Sequence, residues 1–77
     1  MMDERAAKEY LIEHDQEFRK LFEEHQKWEQ RLAELMAKPF LTSEEQIEEV
    51  RIKKRKLQLK DQMQLRINDW RSQQPVH

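Results

Sequence analysis

Pro39 is the only strong helix breaker away from the chain ends, and it divides the sequence into two nearly equal halves. The 77 residues include no glycine, so the usual residue for positive-φ turns and tight hairpins is missing. This disfavours β folds that need many tight turns. Good helix formers dominate the composition instead. The sequence therefore predicts one small all-α domain over residues 1–77, with a helix on each side of Pro39.

The half before Pro39 carries two sets of residues that each repeat every seven positions. They are offset from each other by three: Leu11, Phe18, His25 and Leu32 in the first, and His14, Leu21, Trp28 and Leu35 in the second. This spacing is typical of a supercoiled helix. It predicts a coiled-coil-like helix over about residues 5–37.

The segment that follows contains the signals of a bend. Proline disfavours helical geometry at the residue before it, so the bend is expected over residues 38–42. Two residue pairs can form a capping box at the start of a second helix: Thr42 with Glu45, and Ser43 with Gln46. A connection this short favours antiparallel packing. The predicted fold is an antiparallel two-helix hairpin.

The second helix is expected over about residues 43–71, and the polar tail 72–77 is expected to fray. At about 100° per residue its apolar side chains form two opposite groups. They are Ile47, Val50, Leu57 and Leu65 on one side, and Ile52, Leu59, Met63, Ile67 and Trp70 on the other.

A helix that is apolar on two faces needs two partners, and a chain this small seldom stabilises itself on one core. We therefore expect a homo-oligomer, with a dimer favoured, in which two hairpins form a four-helix bundle. The group that ends in Trp70 is the better candidate for the oligomer interface, because tryptophan often anchors interfaces. That candidate interface is Ile52, Leu59, Met63, Ile67 and Trp70.

Residues 51–60 hold six basic side chains and no acid. Arg51, Lys53, Lys54, Arg55 and Lys56 are therefore candidate contacts for a polyanion such as nucleic acid. The formal net charge is only −1, no aromatic residue is interleaved for base stacking, and glutamates lie one helical turn away. A solvated face paired with acids is the favoured interpretation.

Catalytic and ligand-binding motifs are absent from the sequence. Without glycine there is no P-loop and no dinucleotide fingerprint, and without cysteine there is no thiolate metal site. His14 and His25 lack the spacing of a helical metal site. Protonation of either near pH 6.5 would change the charge of the heptad face on which both lie. We expect no enzyme activity, cofactor, metal or small-molecule substrate.

No apolar run approaches the roughly 18 residues of a membrane span, and the first residues lack the order of a signal peptide. The expected location is the cytoplasm, without a membrane partner.

Two stretches, 18–32 and 52–63, resemble the small bacterial proteins called YdcH-like, a domain-of-unknown-function family. Four residues match the signature of the second stretch directly: Leu57, Leu59, Lys60 and Asp61. Trp28 stands where leucine is more usual in the family. The resemblance covers about residues 14–65. It implies a bacterial cytosolic helical hairpin and supplies no catalytic residues.

The resemblance directs attention to a possible polar cluster. Folding the chain about residue 40 brings Asp61 towards His25, so His25, Lys60 and Asp61 are hypothesised to fix the register of the hairpin.

The leading functional hypothesis is a non-enzymatic, self-associating interaction module that acts as an adaptor or regulator for an unknown protein partner. The alternative is a nucleic-acid- or ribosome-associated factor that uses residues 51–60. A membrane-surface element is the third and least favoured hypothesis.

Overall fold

A computed structural model describes residues 3–73 of the chain. This part of the chain forms three helices and no strand: α1 (Glu4–His14), α2 (Gln16–Met36) and α3 (Ser43–Gln73). The molecule is elongated, with extents of 54 × 19 × 17 Å. The all-α prediction is confirmed, but the number of helices differs from the prediction.

Asp15 divides the predicted first helix into two. Its backbone is extended, with φ −114° and ψ 108°, and its side chain accepts a hydrogen bond from the Phe18 amide, which makes it the N-cap of α2. Arg19 donates from Nε and Nη2 to the carbonyl oxygens of Ile12 and Glu13, at 2.8 and 2.9 Å. Side chains thus satisfy both helix ends at the break. The prediction of one continuous helix over residues 5–37 is therefore wrong.

The turn into α3 uses one of the two predicted capping boxes. The Glu45 amide donates to Thr42 Oγ1 at 3.1 Å, and the Thr42 amide donates to Glu45 Oε1 at 3.0 Å. Glu45 also forms an ion pair with Lys38 across the bend. That ion pair, with the Thr42 amide, lowers the pKa of Glu45 to about 2. These contacts fix where α3 begins.

α2 and α3 pack antiparallel. Three ion pairs join them in opposite sequence order: Arg31 with Glu48, Glu24 with Arg55, and Glu17 with Arg66. α3 extends to Gln73, beyond the expected end at residue 71. Residues 74–77 of the predicted frayed tail lie outside the described residues.

The main core lies where the three helices meet. Its buried members are Ala7, Leu11, Phe18, Met63 and Ile67, and Ile12, Leu21, Phe22 and Trp70 pack against them. The Tyr10 ring of α1 stacks on the Trp70 ring, with centroids 4.8 Å apart. α1 therefore folds against the far end of the α2–α3 pair and closes its core, instead of only lengthening α2.

Candidate interaction surfaces

The structure corrects the choice between the two apolar faces of α3. Ile52, Leu59, Met63 and Ile67 are 0–7% exposed, and Trp70 packs against the core of the same chain. This face meets α1 and α2, so the residues predicted as an oligomer interface are already covered within one chain. The sequence could not separate the two faces because both are apolar, and only the packing of α1 and α2 distinguishes them.

The opposite face of α3 is the exposed one. It carries a row of four apolar side chains, here called the outer row: Ile47, Val50, Leu57 and Leu65, which are 54, 66, 60 and 69% exposed. The row extends over about 27 Å of helix. At about 100° per residue, Lys54 and Asp61 lie on the same side, between members of the row. The outer row is the largest set of apolar side chains that one helix exposes among the described residues.

Three of the five basic residues predicted to contact a polyanion form ion pairs with glutamates of the same chain. Their partners are Glu49 for Lys53 at 2.9 Å, Glu24 for Arg55 at 2.7 Å, and Glu29 for Lys56 at 3.4 Å. Arg51 and Lys54 are exposed and form no ion pair within residues 3–73. The pairing favours a solvated, charge-balanced face over a continuous phosphate-binding strip.

The shortest of these ion pairs joins α3 to α2. Arg55 donates to both carboxylate oxygens of Glu24, at 2.7 and 3.0 Å, and Trp28 Nε1 donates to the same carboxylate at 3.0 Å. The Arg55 hydrogen bonds first, and then that of Trp28, lower the pKa of Glu24 to about 2. Such bidentate pairs are geometrically specific. Arg55 therefore stabilises the contact of α3 with α2 and is not free to bind a polyanion.

A basic cleft opens where the three helices meet. We use the name "basic cleft" for an open cavity of about 340 Å³ lined by Lys8, Phe22, His25, Glu29, Lys53, Lys56, Leu57, Lys60 and Met63. Lys8 comes from α1, and its Nζ lies 5.3 Å from the centre of the Phe22 ring. Sequence reasoning missed Lys8, because only the docking of α1 brings it to the lysines of α3.

His25 lies in this cleft with a lowered pKa. Burial is the largest cause, and the charges of Lys56, Lys8 and Lys60 add to it, whereas Glu29 acts in the opposite direction. The imidazole is therefore neutral at neutral pH, where protonation would add a positive charge among lysines.

The proposed register cluster is not assembled. His25 and Lys60 share the basic cleft, but Asp61 is exposed and forms no ion pair or hydrogen bond within the described residues. Adjacent residues of a helix differ by about 100° in direction, so Asp61 turns away from the cleft towards the outer row. The hypothesis that His25, Lys60 and Asp61 fix the register is therefore wrong.

Register is supported instead by the bidentate pair of Arg55 with Glu24 and by a second one near the bend. Arg31 donates to both carboxylate oxygens of Glu48, at 2.7 and 2.8 Å, and to Glu34 at 3.1 Å. These bonds raise the pKa of Arg31, and the Arg31 bond lowers the pKa of Glu48. A shift of α3 along α2 would break both bidentate pairs.

Within residues 3–73, no group of three or more His, Asp or Glu side chains converges to hold a metal ion. None of the helices described is both long and apolar enough to cross a membrane.

Comparison with known proteins identifies the family of the chain. A family model described as "Protein of unknown function (DUF465)" matches residues 18–67, which is more than half of the sequence. Searches of curated proteins and of solved structures found no match. The YdcH-like resemblance of the two long stretches is consistent with this family. The chain therefore belongs to the DUF465 family.

Proposed function

We propose that this chain is a non-enzymatic protein–protein interaction module of the cytoplasm, which self-associates through the outer row and serves as an adaptor or regulator. The observation that carries the proposal is the exposure of Ile47, Val50, Leu57 and Leu65 on one face of α3. Apolar side chains that recur along a second face of a helix need a second surface to pack against. The opposite face of α3 is already used by the core, so a second molecule is needed to cover the row.

The size of the chain supports association. Eight apolar residues make up the buried core of residues 3–73, and domains of fewer than about 80 residues commonly gain stability from oligomerisation. A helix with apolar residues on two sides is stable when both sides are packed. Burial of the outer row would supply the second packing surface.

The two-sided geometry of α3 affects the expected assembly. The core face and the outer row lie on opposite sides of the helix, so α2 and a second copy would also lie on opposite sides of α3. Two copies would then place four long helices side by side in a layer. We propose this coiled-coil-like layer in place of the closed four-helix bundle that the sequence suggested.

Sedimentation over a concentration series tests self-association. The chain of 9.6 kDa is expected to approach twice that mass as its concentration rises. Replacing Val50 and Leu57 together by glutamate should leave a monomer with unchanged helix content, because both side chains are exposed in the single chain. Replacing Gln26 and Gln30 together by glutamate, at two exposed positions of α2, is the matched control and should still associate. A wild-type monomer at every concentration would refute the proposal.

The basic cleft supports a second candidate function, the binding of nucleic acid. Four lysines from two helices line it, and of these Lys8 and Lys60 form no ion pair within the described part of the chain. If this function holds, fluorescently labelled single-stranded RNA will bind with an affinity that falls steeply with salt. Replacing Lys8 and Lys60 by glutamine should then weaken binding. Recovery of partners from lysate after nuclease treatment would instead favour the protein-interaction module.

A further inference from the structure

Lys54 and Asp61 are two opposite charges placed among the apolar residues of the outer row. Both are exposed, and neither forms an ion pair within residues 3–73. They are seven residues apart on one face of α3, so each lies one heptad from the other. Charges in the middle of an apolar row suit a partner that offers the opposite charges at the same spacing.

Two charges and two apolar residues of the outer row are symmetric about one point, whereas Ile47 and Leu57 would face Asn68 and Gln58 of a reversed copy. Lys54 and Asp61 lie equally far, on either side, from the point between Leu57 and Gln58, and so do Val50 and Leu65. Reversing the direction of the helix about that point exchanges lysine with aspartate and valine with leucine. The face is therefore complementary to a second, antiparallel copy of itself.

We propose that two copies of this chain pair antiparallel through α3, on a two-fold axis between Leu57 and Gln58, with Lys54 of each copy paired to Asp61 of the other. This inference rests on the proposed self-association and adds its partner surface, direction and register. An isologous contact of this kind closes after two subunits. It gives a dimer and not a filament.

The same charges disfavour the parallel arrangement. In a parallel, in-register pair, Lys54 would face Lys54 and Asp61 would face Asp61 of the second copy. Like charges opposed in a seam are destabilising. A lysine at a seam position can fix register and orientation in this way, so the two charges select the antiparallel pair.

The proposed two-fold axis lies near the middle of α3. α3 extends over Ser43–Gln73, and its midpoint lies beside the proposed axis. Two antiparallel copies therefore overlap along nearly all of α3. Val50 of each copy then faces Leu65 of the other.

Two charge variants test the pairing. Lys54→Asp makes both positions acidic, and Asp61→Lys makes both basic, so each variant alone should dimerise at least about tenfold more weakly. An equimolar mixture of the two should recover near wild-type affinity, because every pair across the axis is again opposite in charge. Lys60→Asp, on the same helix but facing the basic cleft, is the control and should dimerise like the wild type.

Cross-linking determines the direction of the pair. The chain has no cysteine, so Val50→Cys and Leu65→Cys each introduce a single thiol. With a short bismaleimide, a mixture of the two variants should cross-link between copies, whereas either variant alone should not. In a parallel pair, each variant would cross-link to itself and the mixture would not form the mixed product.

The results of these experiments distinguish a failure of self-association from a failure of the antiparallel pairing. A wild-type chain that stays monomeric refutes both. A wild-type dimer whose affinity is unaffected by the charge variants, or whose single-cysteine variants cross-link to themselves, refutes only the antiparallel Lys54–Asp61 pairing.

Discussion

At the scale of single residues, Asp15 determines how the first half of the chain folds. Its carboxylate accepts from the Phe18 amide at 3.0 Å and also receives Arg66 Nη1 at 3.4 Å. The same side chain therefore starts α2 and ties it to α3. Its extended backbone redirects α1 so that Ala7 and Leu11 reach the core.

Replacing Asp15 separates these two roles. Asp15→Ala should lower the free energy of unfolding by about 1 kcal/mol, because the N-cap is lost. Asp15→Asn should cost less, since asparagine caps as well as aspartate and only the contact with Arg66 is weakened. Urea denaturation followed by circular dichroism measures both. Equal costs for the two variants would show that the cap is not the main contribution.

His25 makes the stability of the chain depend on pH below the ordinary histidine pKa of 6.5. Its pKa is lowered from the ordinary value of 6.5, so the unfolded chain binds protons more readily than the folded one below that value. Stability is then highest above pH 6.5 and falls as the pH falls. The charged groups that face His25 are Lys8 from α1, Glu29 from its own helix, and Lys56 and Lys60 from α3.

Thermal denaturation from pH 8 to pH 5 measures this effect. His25→Gln should flatten the profile. Glu24 and Glu45 do not contribute to the change in stability between pH 8 and pH 5. Their pKa values fall from 4.5 to about 2, so their contribution is lost only below about pH 4.5. A wild-type profile that is flat from pH 8 to pH 5 would contradict the assignment.

At the scale of elements, α3 shows what sequence patterns resolve and what they leave open. The pattern indicated two apolar faces, and the structure has both. Of the two capping boxes that the sequence allowed, Thr42 with Glu45 forms. Which face enters the core depends on the side chains of α1 and α2 that meet it, such as Phe18 and Leu11. A pattern within α3 alone contains no information about them.

Alanine substitutions on the two faces of α3 should differ strongly in cost. Leu59 is fully buried and Leu65 is 69% exposed. Leu59→Ala should therefore cost about 2–5 kcal/mol, while Leu65→Ala should change stability by no more than about 0.5 kcal/mol. Chemical denaturation must be measured at a concentration low enough to keep the chain monomeric, because association would add to apparent stability. A similar cost for both would mean that the outer row is covered in the monomer.

The basic cleft was not predictable as a site, although most of its lysines were noted. The sequence placed Lys53 and Lys56 in a basic stretch, and the structure pairs both of them with glutamates. Lys8 comes from α1, and its approach requires the break at Asp15, whereas His25 comes from α2 and meets α3 through the hairpin. A single non-helical residue leaves the heptad spacing almost intact, so periodicity did not reveal that bend.

At the scale of the whole molecule, the chain is a rod with extents of 54 × 19 × 17 Å and a radius of gyration of 15.8 Å. Its length is set by α3, whose 31 residues extend over about 46 Å. In the proposed dimer, two such rods lie side by side and antiparallel. The assembly therefore gains width and almost no length.

Small-angle X-ray scattering distinguishes this shape from an end-to-end dimer. The longest dimension should stay near the 54 Å of the single chain, while the cross-section widens by about 20 Å, because the second copy adds two helices to the layer at about 10 Å each. The Val50→Glu, Leu57→Glu double variant supplies the monomer curve for comparison. A dimer with nearly doubled length would contradict pairing along α3.

The sequence by itself determined the all-α class, the bend around Pro39, a capping box at Thr42 or Ser43 and the two apolar faces of α3. These features depend on local backbone preferences and on the direction of side chains around one helix, both of which the order of residues specifies. Tertiary structure decided the break at Asp15, the docking of α1, the partner of each charge and the face of α3 that is buried. Those outcomes depend on which side chains from distant parts of the chain meet, and a pattern within one helix does not contain them.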